Sequence, residues 1–143
     1  MTLLDVNVLV YSYRADATDH VRFRGWLAEH VGAPPSFGLT DLVLSSFLRI
    51  VTNPRVFKTP SPTGDALAFI SAVRSSKNCV LVAPGPRHWD IFVDLCTRAG
   101  VRANLVPDAF LAALAIESGS EWITTDRDFA RFPGLRWRHP LAP

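Results

Sequence analysis

No apolar run in the sequence approaches the ~20 residues that a membrane-spanning helix needs, and residues 1–20 lack the profile of a signal peptide. Neither membrane insertion nor secretion is expected, so the expected location is cytoplasmic. Cysteine is scarce: Cys79 and Cys96 sit in apolar surroundings without Cys-x-x-Cys spacing, and buried structural thiols are the better reading. His20, His30, His88 and His139 are scattered without ligand spacing, which sets a zinc site aside. No Gly-x-x-x-x-Gly-Lys string occurs, so a P-loop enzyme is excluded. Lysine is nearly absent, with 2 Lys against 13 Arg. That bias fits genome composition as easily as bidentate phosphate binding. A net charge of +2 says little by itself about nucleic acid.

What is present is core material. The 143 residues are 48% hydrophobic and 10% aromatic, enough for one domain over 1–143, and chains of this size bury roughly 68–70% of their unfolded surface. No internal repeat or low-complexity tract divides the chain. Pro34-Pro35 and Pro60-Ser61-Pro62 read as punctuation between elements.

Thr2-Leu3-Leu4 is the first expected strand, and a helix carrying Val8, Leu9, Tyr11 and Ser12 follows it. A second helix is expected from Thr18, its N-cap, to Gly32, with Val21, Trp26, Leu27 and Val31 as apolar members. Phe37-Gly38-Leu39 reads as a strand, and Thr40 caps a helix that runs to Ile50 or Val51 and is closed by Asn53-Pro54. A further helix spans 62–75 with Leu67, Ile70 and Val73. Cys79 to Val82 is a continuous apolar run, expected of a strand buried on both faces. Helices follow at 86–99, ended by Gly100, and at 107–118, ended by Gly119. Glu121 to Thr124 and Leu135 to Trp137 are the last strands. Strands alternating with helices predict a three-layer α/β/α sandwich around a mostly parallel sheet.

In such sheets the chemistry lies outside the carboxyl ends of the strands. Asp5 follows the first strand directly, and Asp41 opens the helix after the second. Asp126 comes just beyond the fourth strand, with Asp128 two residues on, and Asp108 opens the helix before that strand. Each acid alone has an ordinary explanation: Asp41 and Asp108 favour helix N-termini, and Asp126 and Asp128 can shape a turn. Asp5 is the exception, because a carboxylate after a Leu-Leu strand is costly to bury without compensation. Their convergence on one sheet edge favours function. Clustered carboxylates raise one another's pKa values, and a divalent cation removes that penalty. Magnesium suits an all-oxygen site, with manganese as a substitute; it activates water for attack on phosphorus and offsets charge on the leaving oxygen. The expected chemistry is phosphodiester hydrolysis.

With these residues in place, the chain resembles the PIN-domain family, and within it the VapC-type toxins of bacterial toxin–antitoxin pairs. The resemblance runs over essentially the whole chain. It is carried by Leu3-Leu4-Asp5-Val6-Asn7-Val8-Leu9-Val10-Tyr11, by Leu39-Thr40-Asp41-Leu42-Val43-Leu44-Ser45, by Asn104-Leu105-Val106-Pro107-Asp108-Ala109 through Ala115, and by Thr124-Thr125-Asp126-Arg127-Asp128-Phe129. The last string is the most specific. One position departs: the family's second acid is most often Glu, and Asp41 is one methylene shorter.

The resemblance implies a small magnesium-dependent endoribonuclease that cuts structured RNA, often transfer or ribosomal RNA, and so inhibits translation. It implies a homodimer and a cognate VapB-like antitoxin that obstructs the acidic site. Asp5, Asp41, Asp108 and Asp126 form the implied catalytic set, and Asp5, Asp108, Asp126 and Asp128 the metal-ligating one. Asn7 and Thr125 are assigned to support those carboxylates by hydrogen bonding, with ordinary N-capping the alternative for Asn7.

Arg127, between Asp126 and Asp128, is placed to meet an RNA phosphate. Arg49, Arg55 and Arg14 are looser RNA-binding candidates, each with a solvated surface role as the alternative. Trp89, Phe92, Trp122 and Phe129 are expected in the core rather than as a base-stacking platform. The early helices carry Val21, Phe23, Trp26, Leu27, Phe47, Leu48, Ile50, Val56 and Phe57. That much apolar surface fits an antitoxin groove and a well-packed core alike. A receiver domain would show paired acids after the first strand and a late Lys, and a haloacid-dehalogenase phosphatase an Asp-x-Asp; Asp5-Val6-Asn7 departs from both. The remaining alternative is a catalytically weak PIN module that acts by binding RNA or protein.

Overall fold

The structure, a computed structural model, describes residues 1–142. Five short strands form one parallel sheet: β1 (Thr2–Leu4), β2 (Phe37–Leu39), β3 (Cys79–Leu81), β4 (Glu121–Ile123) and β5 (Trp137–Arg138), in the order β3-β2-β1-β4-β5. The helices are α1 (Val6–Tyr13), α2 (His20–Gly32), α3 (Asp41–Val51), α4 (Thr63–Arg74), α5 (His88–Ala99) and α6 (Val106–Glu117). The chain steps outward from β1 to β2 to β3 through α1–α4, then returns across the sheet through α5 and α6 to β4. Right-handed crossovers in opposite directions put the two helix sets on opposite faces. Accordingly α1 packs on α2 and α3, α3 on α4, and α5 on α6. This is the expected three-layer α/β/α sandwich. No helix among the described residues is long and apolar enough to cross a membrane.

The central strands carry the most buried side chains. Leu3, Leu4, Phe37, Leu39, Trp122 and Ile123 are fully enclosed. Gly38, inside β2, is needed for this packing: a Cβ there would stand 2.9 Å from Leu3 Cδ1 and 3.0 Å from Val82 Cγ2. α6 is enclosed almost all round, with Ala109 and Leu111 to Ala115 buried, as its nearly uniform apolar composition requires. Gly100 ends α5 in the left-handed region at φ 60°, a conformation that spares glycine a Cβ clash.

Several expectations are corrected. β3 is not buried on both faces but is an edge strand, so Val80 and Leu81 are 41% and 49% exposed. α2 begins at His20 rather than at Thr18, because residues 14–20 close hydrogen-bonded turns (Ala17 N–H to Arg14 O, His20 N–H to Ala17 O), and Asp19 precedes the helix at φ 57°. Its inward line is Phe23 and Leu27, four residues apart. Val21 is offset from that line by about half a turn and is exposed. On α5 the buried residues are His88 and Leu95, which leaves adjacent Trp89 exposed instead of in the core, leaning on Phe92. Val56 and Leu67 are also exposed. Cys79 and Cys96 are half-buried free thiols, and burial pushes the Cys79 thiol upward.

Candidate active site

The strand order grows outward from β1 in both directions, through β2 to β3 on one side and through β4 to β5 on the other. A crevice opens at the carboxyl ends of the strands at such a switch point. Asp5 is the first residue beyond β1, and its backbone N–H extends the ladder to Ile123 O on β4. Leu4 pairs with Ile123 in register, so Asp5 lies beside Thr124. Asp126 follows two residues later. Asp108 comes in from the first turn of α6.

Asp5 is 4% exposed and held by three donors. Oδ1 accepts the Val6 N–H at 2.6 Å, and Oδ2 accepts the Thr124 hydroxyl at 2.6 Å and the Asn7 amide at 3.1 Å. The Thr124 hydroxyl in turn accepts the Asp126 N–H at 3.0 Å and the second Asn7 amide proton at 3.1 Å. Asn7 Oδ1 takes the Thr125 N–H at 3.1 Å, so the amide orientation is fixed by its partners at both ends. Asp126 Oδ1 accepts the Asp128 N–H at 2.8 Å.

Charge is concentrated where solvent is excluded. The pKa of Asp5 is pushed up to about 6, first by burial and then by repulsion from Asp108 and Asp126, against the lowering effect of its donors. Asp108 is likewise raised to about 6 by burial and by repulsion from Asp126 and Asp128, with Arg131 opposing. Asp5, Asp108, Asp126 and Asp128 therefore form one electrostatic unit.

Asp41 is not drawn into it. It stands at the end of β2, on the same sheet edge, but its side chain is 80% exposed and faces Arg74 Nε at 3.5 Å. Nor does Asp41 figure among the charges that raise Asp5 or Asp108. The structure thus brings Asp5, Asp108 and Asp126 together and leaves Asp41 on the same sheet edge, apart from them and opposite Arg74.

Among the basic candidates, Arg127 is exposed beside Asp126. Arg14 is otherwise engaged: it is clamped by Asp16 at 2.7 and 2.9 Å, bonded to Ser61 Oγ and stacked over Phe57, with its side chain only 11% exposed. It braces the turn after α1 and is unavailable to a phosphate. Arg49 and Arg55 are exposed on and after α3, and none of their contacts among the described residues ties them to the acids.

Two contributors escaped the sequence reading. Thr124 supplies the hydroxyl at the hub, while Thr125 contributes only its backbone N–H. The signal was a hydroxyl residue directly after Trp122-Ile123, but it becomes readable only once β4 is known to lie beside β1. Arg131, whose charge acts on Asp108 and which approaches Asp128 at 3.8 Å, had no signal beyond proximity in sequence.

The donor set could hold a hard divalent cation. It is all oxygen, and no hydrogen bond among the described residues reaches the Asp108 carboxylate or Asp126 Oδ2. Among the described residues no group of three or more His, Cys, Asp or Glu side chains is placed to hold a metal ion by itself, so one or two carboxylates would bind it directly, with water and substrate phosphate completing the shell.

Residues 2–135 match the PIN domain family. Ribonuclease VapC43 of Mycobacterium tuberculosis is 43% identical over 141 residues, covering 99% of this chain and 96% of that protein. Among solved structures, VapBC2 from Rickettsia felis bound to a DNA fragment from their promoter superposes with a TM-score of 0.69 at 16% identity, over 96% and 97% of the two chains. The Mycobacterium tuberculosis toxin VapC20, described as cleaving the sarcin-ricin loop, does so with a TM-score of 0.68 at 17% identity, over 95% and 99%. The chain belongs to the PIN domain family, in its branch of VapC ribonucleases.

Proposed function

We propose that the protein is a magnesium-dependent endoribonuclease, the toxin of a toxin–antitoxin pair, which hydrolyses phosphodiester bonds in structured RNA, transfer or ribosomal, and inhibits translation until a VapB-like antitoxin neutralises it. The observation that carries this reading is the partly enclosed group of Asp5, Asp108 and Asp126 at the switch point, whose mutual repulsion calls for a cation. A divalent ion there supplies charge neutralisation and Lewis-acid activation of water; manganese has the same oxygen preference. Asp5, Asp108 and Asp126 would hold it, with Asp128 at the rim. Thr124 and Asn7 keep the Asp5 carboxylate in one orientation, and Arg127 meets the RNA backbone.

The partner assignments follow from likeness and surface together. A groove of about 400 Å³ lined by Ser12, Tyr13, His20, Arg24, Leu27 and Phe69 offers an antitoxin helix an apolar seat with a charged rim. Trp89 and Val93, one turn apart on the exposed face of α5, present apolar surface that a second copy would cover in a homodimer.

The test is RNA cleavage by purified protein with magnesium and with chelator. Cleavage should stop with chelator and fall at least ~100-fold in Asp5→Asn. Asp41→Asn should lose less than Asp5→Asn. Equal activity of wild type and Asp5→Asn removes the nuclease mechanism; equal losses at Asp41 and Asp5 would mean that Asp41 leaves Arg74 to join the reaction.

A further inference from the structure

A cavity of about 630 Å³ opens beside the acidic group and shares Thr125 and Arg127 with it. Its wall is built from Arg22 at the start of α2, from Thr125 and Arg127 on either side of Asp126, and from Trp137, Arg138 and His139 of β5 and the residue after it. The volume falls within the range of small-ligand sites. Its charge is opposite to that of its neighbour. Arg138 is paired with Glu121, but Arg22 approaches Asp19 only at 3.9 Å, and Arg127 has no ion-pair partner among the described residues. Arg127 is therefore free to serve an anion, and Arg22, whose exposed pair with Asp19 on the same wall is loose, can join it.

The wall also has a flat, partly apolar element. Trp137 is half-buried and makes no ring–ring contact among the described residues, unlike Trp122, Trp89 and Trp26. His139 Nδ1 accepts the Leu141 N–H at 3.1 Å, which places the ring proton of the neutral imidazole on Nε2 as a donor. Cations, an aromatic face and a hydrogen-bond donor together are what single-stranded nucleic acid requires: phosphate neutralisation, stacking and edge recognition.

We infer that this cavity is a nucleotide subsite, which seats the nucleotide adjoining the scissile phosphate with its phosphate on Arg22 and Arg127 and its base on Trp137. The inference rests on the ribonuclease reading above and deepens it. Continuity supports it: Thr125 and Arg127 line the cavity and flank Asp126, so a strand crossing the acids enters the cavity directly. An acidic peptide would meet the same guanidinium groups, but nothing in it answers to the Trp137 face and the adjoining acids together.

Binding can be measured without cleavage. A fluorescein-labelled, mixed-sequence single-stranded RNA is titrated into the full chain in chelator and followed by anisotropy at several salt concentrations. Trp137→Ala should weaken binding about tenfold, and Trp137→Phe should restore most of it. Arg22→Ala, at an exposed position that carries no risk to folding, should weaken binding and lower the salt slope by about one, as should Arg127→Ala. Wild-type affinity in both Trp137→Ala and Arg22→Ala, with unchanged melting curves, overturns the subsite, as does a wild-type chain that binds no RNA. If these variants keep RNA affinity but lose affinity for a fluorescein-labelled oligo-glutamate peptide, the cavity is a protein-docking surface and the subsite is overturned. RNA that is cut with magnesium yet bound normally by the variants sinks the subsite alone. RNA bound through Trp137 but never cut sinks the ribonuclease reading alone.

Discussion

Asp5 is charged, enclosed and only partly compensated, and everything near it can be understood from that conflict. Raising a carboxyl from 3.8 to about 6 corresponds to on the order of 3 kcal/mol of lost stability at neutral pH. Thr124 keeps the penalty from being larger, because its hydroxyl donates to Asp5 while accepting from Asp126 and Asn7. Thr124→Val keeps the shape and removes all three bonds. The expected outcome is a loss of roughly 1–3 kcal/mol in chemical denaturation, since buried donors are left unpaired. RNA cleavage should fall about tenfold or more, as for other residues that orient a ligand carboxylate, and Thr124→Ser should recover most of both. An unchanged cleavage rate in Thr124→Val would remove the hydroxyl from the positioning network.

At the scale of elements, three-residue strands work here because neighbours complete them. β1 is flanked by β2 and β4, and Gly38 lets Leu3 and Val82 approach the β2 backbone closely. Gly38→Ala would force its methyl against both. Overpacking of this kind should destabilise the protein by about 1–3 kcal/mol, read as a lower denaturation midpoint with an unchanged slope. A variant as stable as the wild type would show that Leu3 and Val82 can yield.

Element identity was largely legible from the chain. The Leu3-Leu4, Phe37-Leu39 and Trp122-Ile123 runs, and the Pro107 start and Gly100 end of helices, fixed local structure through sterics and hydrophobic period. Exposure was less legible: Cys79 to Val82 has the composition of a central strand, but sheet order alone made it an edge. Trp89 and Val21 were misplaced because a side chain's direction depends on the neighbour its helix packs against.

For the whole molecule, the raised acids set a pH dependence. The folded values of Asp5 and Asp108, about 6, lie above the unfolded value of 3.8. Between those limits the folded chain binds more protons than the unfolded one, so stability rises as pH falls through 6. In chelator, the melting temperature should therefore be higher at pH 5 than at pH 7.5, and Asp5→Asn should flatten the difference. Magnesium should raise the melting temperature at pH 7.5 and do little at pH 5, where the carboxyls hold protons. A chelated protein that melts lower at pH 5, or one indifferent to magnesium at pH 7.5, would contradict this account of the acidic group.

By itself the sequence determined which acids could matter and which layers would form, because strand ends, helix starts and hydrophobic period are local properties. It placed Asp5, Asp108 and Asp126 at one edge of a parallel sheet without any knowledge of strand order. Only the tertiary structure decided which of the acids share a site. The pairing of β1 with β4 joined Thr124 to Asp5, whereas Asp41, opposite Arg74 of α4, stands apart. Likewise, only the fold gathered Arg22, Arg127 and Trp137, more than a hundred residues apart at the extremes, around one cavity. Such juxtapositions depend on long-range packing, and a local pattern carries no record of them.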